Sequence, residues 1–540
     1  MIRSLAFAAS SLLFLVPLVA QDREIEADLL VVGATESGWA AAVTAVRLGV
    51  PKIVIVHDGE WFGGQFTEQG IACVSENTGV GEIGWGPDWH PVKRSFHRSG
   101  LFREVMDQIE WGNAAAYGSR MPGFPLLGPS TFLPSEAEAI FRKIMEPYLK
   151  SGRVEVFWNF YPEEALVDRA GERPRLLGMT FRNAGNPGMQ KVVKARTTID
   201  ASEWGEAIRL SGATYFAGPD PFSRFGEPSA PVEEEGLAKN EMNSLTWAMI
   251  LEQTEDPSPM AEPPGYDARA FSRSNESEKK DEDSDMIQRR RLVDGFRKAD
   301  QKTILLLAEE KDQGYPVSPP SWEVASILES MGTGASQKSL IEMTREQREI
   351  LFADAKNQAL RFLYHRQKKA SERGEAMSDS ILNFQLRDEF GTTDRLPPKP
   401  FLPESVRLKA LYMMREQDGR NRDGETKEAA KDRFSAVLYP DGLFAWQGPS
   451  EVQEMTRVFL DGKEKSGSWR AEVIPARTTN YLTDRSVFPA RSLIPQEVDG
   501  LLGAQMNLGV SRLVGAALGR HDQNIHVGQA AAALAAVSLR

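Results

Sequence analysis

The chain of 540 residues contains a single cysteine, Cys73. One thiol cannot form an intramolecular disulfide, build a cysteine metal site or run two-thiol redox chemistry. Any redox function must therefore come from a bound cofactor. Histidine is also scarce, with six in the whole chain. Two of them fall in HPVKRSFH, residues 90–97, where no third ligand is near, so no metal site is expected. This stretch, which follows Trp85 and Trp89, reads as a surface loop, with sugar stacking as the alternative. Positive charge is in deficit: 64 Lys and Arg stand against 76 Asp and Glu, for a net charge of -12. An acidic surface argues against nucleic acid or an anionic membrane as partner. Beyond the first residues no run has the length and apolarity of a membrane helix. The first 20 residues, with Arg3, the apolar run Leu5–Val16 and Ala20 before the cut, read as a secretory signal peptide. An uncleaved anchor is the alternative. The leader has no twin arginine and no cysteine to take a lipid. A periplasmic or secreted protein with no membrane span in its mature chain is expected.

What is present is an alternation of strands and helices. The stretch Ala27–Val56 reads as strand (DLLVVG), helix (ESGWAAAVTAVRL) and strand (KIVIV), the length of one βαβ unit. Helices are expected near Leu101–Ile109 and over Pro134–Leu149, and a strand over Arg153–Trp158. RLLGMTFRN and KVVKARTTIDA flank an AGNPG turn and predict a hairpin. The charged run 275–291, NESEKKDEDSDMIQRRR, reads as a solvated loop. Ile341–Lys369 is strongly helical, and a helical insertion is placed at about 230–395. Strand signals return at Phe434–Leu438 and Gly500–Ala504, and VGQAAAALAAVSL closes the chain as a helix. At this length two or more lobes are needed, because single cores stop growing near 250–300 residues. The expected class is α/β: a Rossmann-like domain, a discontinuous second substrate lobe and a helical insertion. The divisions are 1–20 leader, 21–215 dinucleotide-binding part, 216–400 substrate lobe with insertion, and 401–540 return to both.

The turn GATESG, residues 33–38, has the outer two glycines of GxGxxG and Thr35 in place of the middle one. Gly33 permits the tight turn and Gly38 lets helix and sheet approach. Thr35 has a hydroxyl to offer a phosphate, and the helix N-terminus favours an anion. Asp58 ends the second strand, where a carboxylate accepts from ribose hydroxyls and disfavours a 2′-phosphate. The paired Gly63-Gly64 in WFGGQFTEQGI is not explained by NAD binding. Together these segments resemble the FAD-dependent oxidoreductases of the glutathione-reductase-like two-dinucleotide-fold type. The likeness is to their exported bacterial branch, often labelled "xanthan lyase". IDASEWGEAIRLSG (199–212), FLPESVRLKALYMMREQD (401–418, departing at Pro403) and the segment from Phe488 to the end carry the same likeness.

The resemblance implies FAD held at Gly33, Thr35, Gly38, Asp58, Gly63, Gly64 and Gln65. It implies non-covalent attachment, because Gln65 stands where some relatives carry a bonding histidine. It also implies that the last helix starts at Gly528-Gln529 and aims its N–H groups at the flavin pyrimidine. The expected catalytic groups are His521, His526 and Arg512, which would bind a small-molecule substrate and shuttle a proton. Glu404 and Arg407 stand behind them. Oxygen or a quinone is the expected electron acceptor. A helix cap or a surface position for each histidine, and a pairing of Arg512 with a backbone carbonyl or a carboxylate, are the plainer alternatives. Two other functions remain open: a polysaccharide lyase, and a carbohydrate-binding protein that retains FAD without catalysis.

Overall fold

The structure, a computed structural model, describes residues 24–74, 98–120, 122–123, 131–232, 242–255, 259–271, 291–293, 302–307, 314–375, 380–419, 425–437, 439–483 and 486–540. The expected leader, His90, His97 and nearly all of the charged run 275–291 lie outside the described residues.

Strand β1 (Ile25–Val32) leads into helix α1 (Glu36–Arg47) and then strand β2 (Ile53–His57). IVIVH in β2 is buried throughout, as is the LLVV end of β1, the pattern of strands covered on both faces. Helices α2 (Gly100–Tyr117) and α3 (Pro134–Lys150) follow, then β3 (Val154–Trp158), β4 (Phe160–Asp168), β5 (Arg175–Asn183) and β6 (Gln190–Asp200). These strands join a seven-stranded sheet in the order β3-β2-β1-β6-β5-β4, and Leu501–Gly503 also pairs with β6. β1 runs parallel to both β2 and β6, and Leu501–Gly503 is parallel to β6. The expected β5–β6 hairpin is present, with β4 added antiparallel to β5.

One face of the sheet is covered by α1, α2, α3 and the last helix, His521–Ser538. Alanines 40, 41, 42 and 45 of α1 and 531, 532 and 535 of the last helix are fully buried. Side chains this small let the two helices approach closely. The other face is covered by residues of 204–408.

The region expected as a helical insertion is mixed. It holds a four-stranded antiparallel sheet of Phe384–Leu386, Ala248–Gln253, Thr303–Leu307 and Arg291–Val293. Against it pack helices Trp322–Ser330 and Arg345–Glu372, the second starting in a capping box of Thr344 and Gln347. Short apolar runs such as TILLL do not distinguish strand from buried helix by periodicity. Two further expectations need correction. Of the stretch read as a strand at Phe434–Leu438, the described residues 434–437 belong to helix Lys427–Val437, carried by the helix-forming KEAAKDR before them. The last helix begins at His521, so Gly528 lies inside it.

Candidate functional site

The parallel strands end together at the turn after β1. Gly33 has φ +98°, and a Cβ there would lie 2.4 Å from the Ala201 carbonyl oxygen. A Cβ on Gly38 would lie 2.0 Å from the Gly33 oxygen. Both glycines are therefore required for the turn to seat against β6. Thr35 is the N-cap of α1: Oγ1 accepts from the Gly38 N–H at 3.2 Å and donates to the Ala201 carbonyl at 2.8 Å. Its hydroxyl is spent inside the protein, not offered to a phosphate.

Glu36, fully buried, fills the space in front of this turn. Oε2 accepts from the Gln65 backbone N–H at 3.2 Å. Oε1 accepts from Gln505 Nε2 at 3.0 Å and Asn524 Nδ2 at 2.7 Å. The Glu36 backbone N–H points at the same carboxylate. Burial outweighs these hydrogen bonds and pushes the carboxyl up to about 7. Gly63 (φ +107°) and Gly64 (φ +50°) shape the facing turn, and a Cβ on Gly64 would fall 2.3 Å from Glu36 Oε2. Around this point Gln505 Oε1 and Asn524 Oδ1 are buried acceptors without a partner among the described residues.

The donor set is that of an anion cradle, and the orphaned acceptors ask for hydroxyl donors. A diphosphate joined to a polyol supplies both, so the residues fit the FAD that the sequence resemblance implies. Sequence reasoning missed Glu36, Gln505 and Asn524. Glu36 stood in plain view as the first residue of the helix. The other two gave no local signal.

Beyond the end of β2 lies a cavity of about 330 Å³, lined in part by Asp58, Trp61, Glu203, Trp204, Arg345 and Lys399. Lys399 Nζ donates to Asp58 Oδ1 at 2.6 Å and lies 3.3 Å from carboxylate oxygens of both Glu68 and Glu203. Arg345 reaches Asp58 Oδ2 at 2.9 Å. Burial raises the cost of ionising Asp58, but Lys399 and Arg345 outweigh it and hold the carboxyl below the usual range. The same contest, won by Lys399 and a His57 hydrogen bond, takes Glu68 down to about 2. His57 Nδ1 accepts from the Ala34 N–H at 3.0 Å, which leaves its ring proton on Nε2, 2.8 Å from Glu68 Oε2. Asp58 thus sits beside a cavity of nucleoside size with both oxygens already paired.

The C-terminal candidates separate. Gly528 packs on α1, where a Cβ would meet the Ser37 oxygen at 2.0 Å. Gln529 Oε1 accepts from the Leu101 N–H at 3.2 Å, at the start of α2. Neither is at the helix N-terminus. His521, the first helical residue, stands edge-on to Phe66 with centroids 4.5 Å apart, and its Nε2 donates to the Ile71 carbonyl at 3.3 Å. His526 is half-buried between Phe102 and Phe444. Burial lowers both histidines to about 4, so both are neutral at pH 7. Arg512 is buried elsewhere: Nε donates to Glu404 at 2.9 Å, Nη1 to Glu454, and its backbone N–H to Asp220 at 2.7 Å. Arg407 bonds Asp220 at 2.9 Å in the same network. Gln65 Nε2 donates to the Gly519 carbonyl at 3.4 Å. The turn residues 33–38 and 63–65 therefore converge on one cradle, whereas Arg512 and the two histidines share no contact among those described.

A family model described as FAD dependent oxidoreductase matches residues 28–540. The chain belongs to that family. FAD is its cofactor, and oxidoreduction is its class of reaction. No curated protein matches the chain. Similar solved structures include THI4 of Thermovibrio ammonificans, 17% identical over 36% of this chain and 67% of that one, with a TM-score of 0.23. The myxobacterial chondrochloren halogenase CndH is 13% identical over 44% of this chain and 46% of its own, with a TM-score of 0.25. Adenosine-5-phosphosulfate reductase in complex with sulfite is 12% identical over 96% of this chain and 70% of that one, with a TM-score of 0.33. The chain thus spans less than half the length of the halogenase. Among the described residues no helix is long and apolar enough to cross a membrane, and no group of His, Cys, Asp and Glu is arranged to hold a metal.

Proposed function

We propose that this chain is an exported flavoprotein oxidoreductase of the glutathione-reductase-like type, in the branch labelled "xanthan lyase". It holds one FAD non-covalently and oxidises or reduces a small molecule, with carbohydrate derivatives the first class to screen. The observation that carries this is the cradle of four N–H donors flanked by two unpartnered acceptors, built at the turn between β1 and α1. Bound FAD supplies hydride and electron transfer. The chain's own part is to hold and shield it. The N-terminus of α1 and the Gln65 N–H would take the diphosphate, Gln505 and Asn524 the hydroxylated linker, and the cavity beside Asp58 the adenosine. Export rests on the leader-like first 20 residues.

The geometry supports positioning roles for His521, which ties the 64–71 turn to the last helix, and for Arg512, which is enclosed by carboxylates. His526 remains the candidate to move a proton. The absorbance spectrum of the purified protein, before and after acid precipitation, tests the proposal. A flavin spectrum that moves to the supernatant is expected. Flavin that stays on the pellet overturns non-covalent attachment, and protein that remains colourless with FAD supplied overturns the function.

A further inference from the structure

Glu36 is the one residue of the cradle that a dinucleotide site does not call for. An acceptor-only carboxylate has taken the donors that an anionic diphosphate would use. It does so from the space that Gly64 leaves by lacking a side chain, since a Cβ there would stand 2.3 Å from Glu36 Oε2. The family resemblance assigns the Gly63-Gly64 turn to FAD binding, so this opening is the space the diphosphate would approach in the proposed reading. While ionised, Glu36 and a diphosphate cannot share one set of N–H donors, because neither can donate to the other.

The arrangement also serves Glu36 incompletely. Asn524 and Gln505 each give it an amide N–H, but their own amide oxygens stay buried and unpartnered. The groups touching the carboxylate from the facing turn, from the loop after Leu501–Gly503 and from the last helix are Gln65, Gln505 and Asn524, all neutral. No cation among the described residues is paired with it, unlike Asp58 with Lys399 and Arg345. A side chain kept for structure alone would more economically be a neutral amide.

We infer that Glu36 is a built-in competitor for the FAD diphosphate: its carboxylate holds the cradle closed, and loading of FAD displaces it. The inference rests on the FAD reading of the site. It assigns Glu36 the role of setting how tightly, and for which anion, the cradle binds. Burial of the carboxyl without a counter-ion, which keeps part of it protonated near neutral pH, makes its departure easier.

The test is titration of the full chain and of Glu36→Gln and Glu36→Ala with FAD, ADP and adenosine, followed by intrinsic fluorescence. Thermal unfolding without ligand checks that both variants fold. Tighter binding of FAD and ADP by both variants, by about tenfold or more, with adenosine unchanged, is expected. Ten-fold corresponds to about 1.4 kcal/mol. Equal or weaker FAD binding by folded variants overturns the competitor role. An equal gain for adenosine also overturns it, because adenosine carries no diphosphate. If no chain binds FAD at saturating concentration while all remain folded, the FAD reading itself fails, and the competitor role with it.

Discussion

Lys399 is the residue that holds together the carboxylates around the cavity beside Asp58. Its ammonium faces Asp58, Glu68 and Glu203, and those carboxylates outweigh the burial that would otherwise deprotonate it. Replacing one partner of a buried pair strands the others, at a cost of about 3–5 kcal/mol. Lys399→Met is expected to lose stability of that order in denaturant melts at pH 7. The sign of the pH dependence follows from Asp58 and Glu68. Their folded pKa values lie below the unfolded ones, so their contribution is full above about 4.5 and fades as pH falls toward about 2. Lys399→Met should flatten that acid limb. Glu36 acts oppositely. Its folded pKa is raised, so its contribution is full below about 4.5 and is lost as pH rises through about 7. Glu36→Gln is therefore expected to gain on the wild type in melting temperature at pH 8 relative to pH 5. For the histidines, His526→Ala should cut turnover by about a hundredfold or more with FAD retained, if His526 moves the proton. His521→Ala should instead weaken FAD, since His521 ties down the turn that carries Gln65. Steady-state rates and flavin content of both variants separate the two roles.

At the scale of elements, the decisive contact is α1 against the last helix. Gly528→Ala places a Cβ 2.0 Å from the Ser37 oxygen and must push the helices apart, with a loss of about 1–3 kcal/mol. Gly112→Ala in α2 has nothing within 4 Å and should stabilise by up to about 1 kcal/mol. Thr35→Ala removes the cap of α1 and should cost about 0.5–2 kcal/mol. Chemical denaturation of the three variants checks all these values. Continuous apolar runs closed by glycine made β1, α1, β2 and the β5–β6 hairpin legible in the sequence. The family resemblance misled at Gly528, placing it at the helix start, whereas here it serves close packing within a helix that begins at His521. The four-stranded sheet was hidden in runs too short to show a period. In the site, the turn 33–38 and the pair 63–64 were legible because glycines must lie where a Cβ cannot. Lys399, Arg345, Gln505 and Asn524 were not, since only the fold brings them to Asp58 and Glu36.

In the whole molecule the parallel sheet is the platform, and residues from distant segments close the cleft above its strand ends. Arg345 and Lys399 come from the mixed region and its exit, and they meet Asp58 at the end of β2. Gln505 and Asn524 come from the C-terminal return, and they meet Glu36 at the start of α1. Both ends of the cleft are thus held by side chains of the protein itself, and in the proposed reading FAD would enter by exchanging some of those contacts for its own. The central claim is that this cleft holds one FAD. The most direct measurement is the flavin-to-protein ratio after incubation with excess FAD and gel filtration, with the flavin released by acid for counting. The account predicts a ratio of one for the wild type, reached at lower FAD by Glu36→Gln. A ratio that stays at zero for both proteins while they remain folded would contradict it.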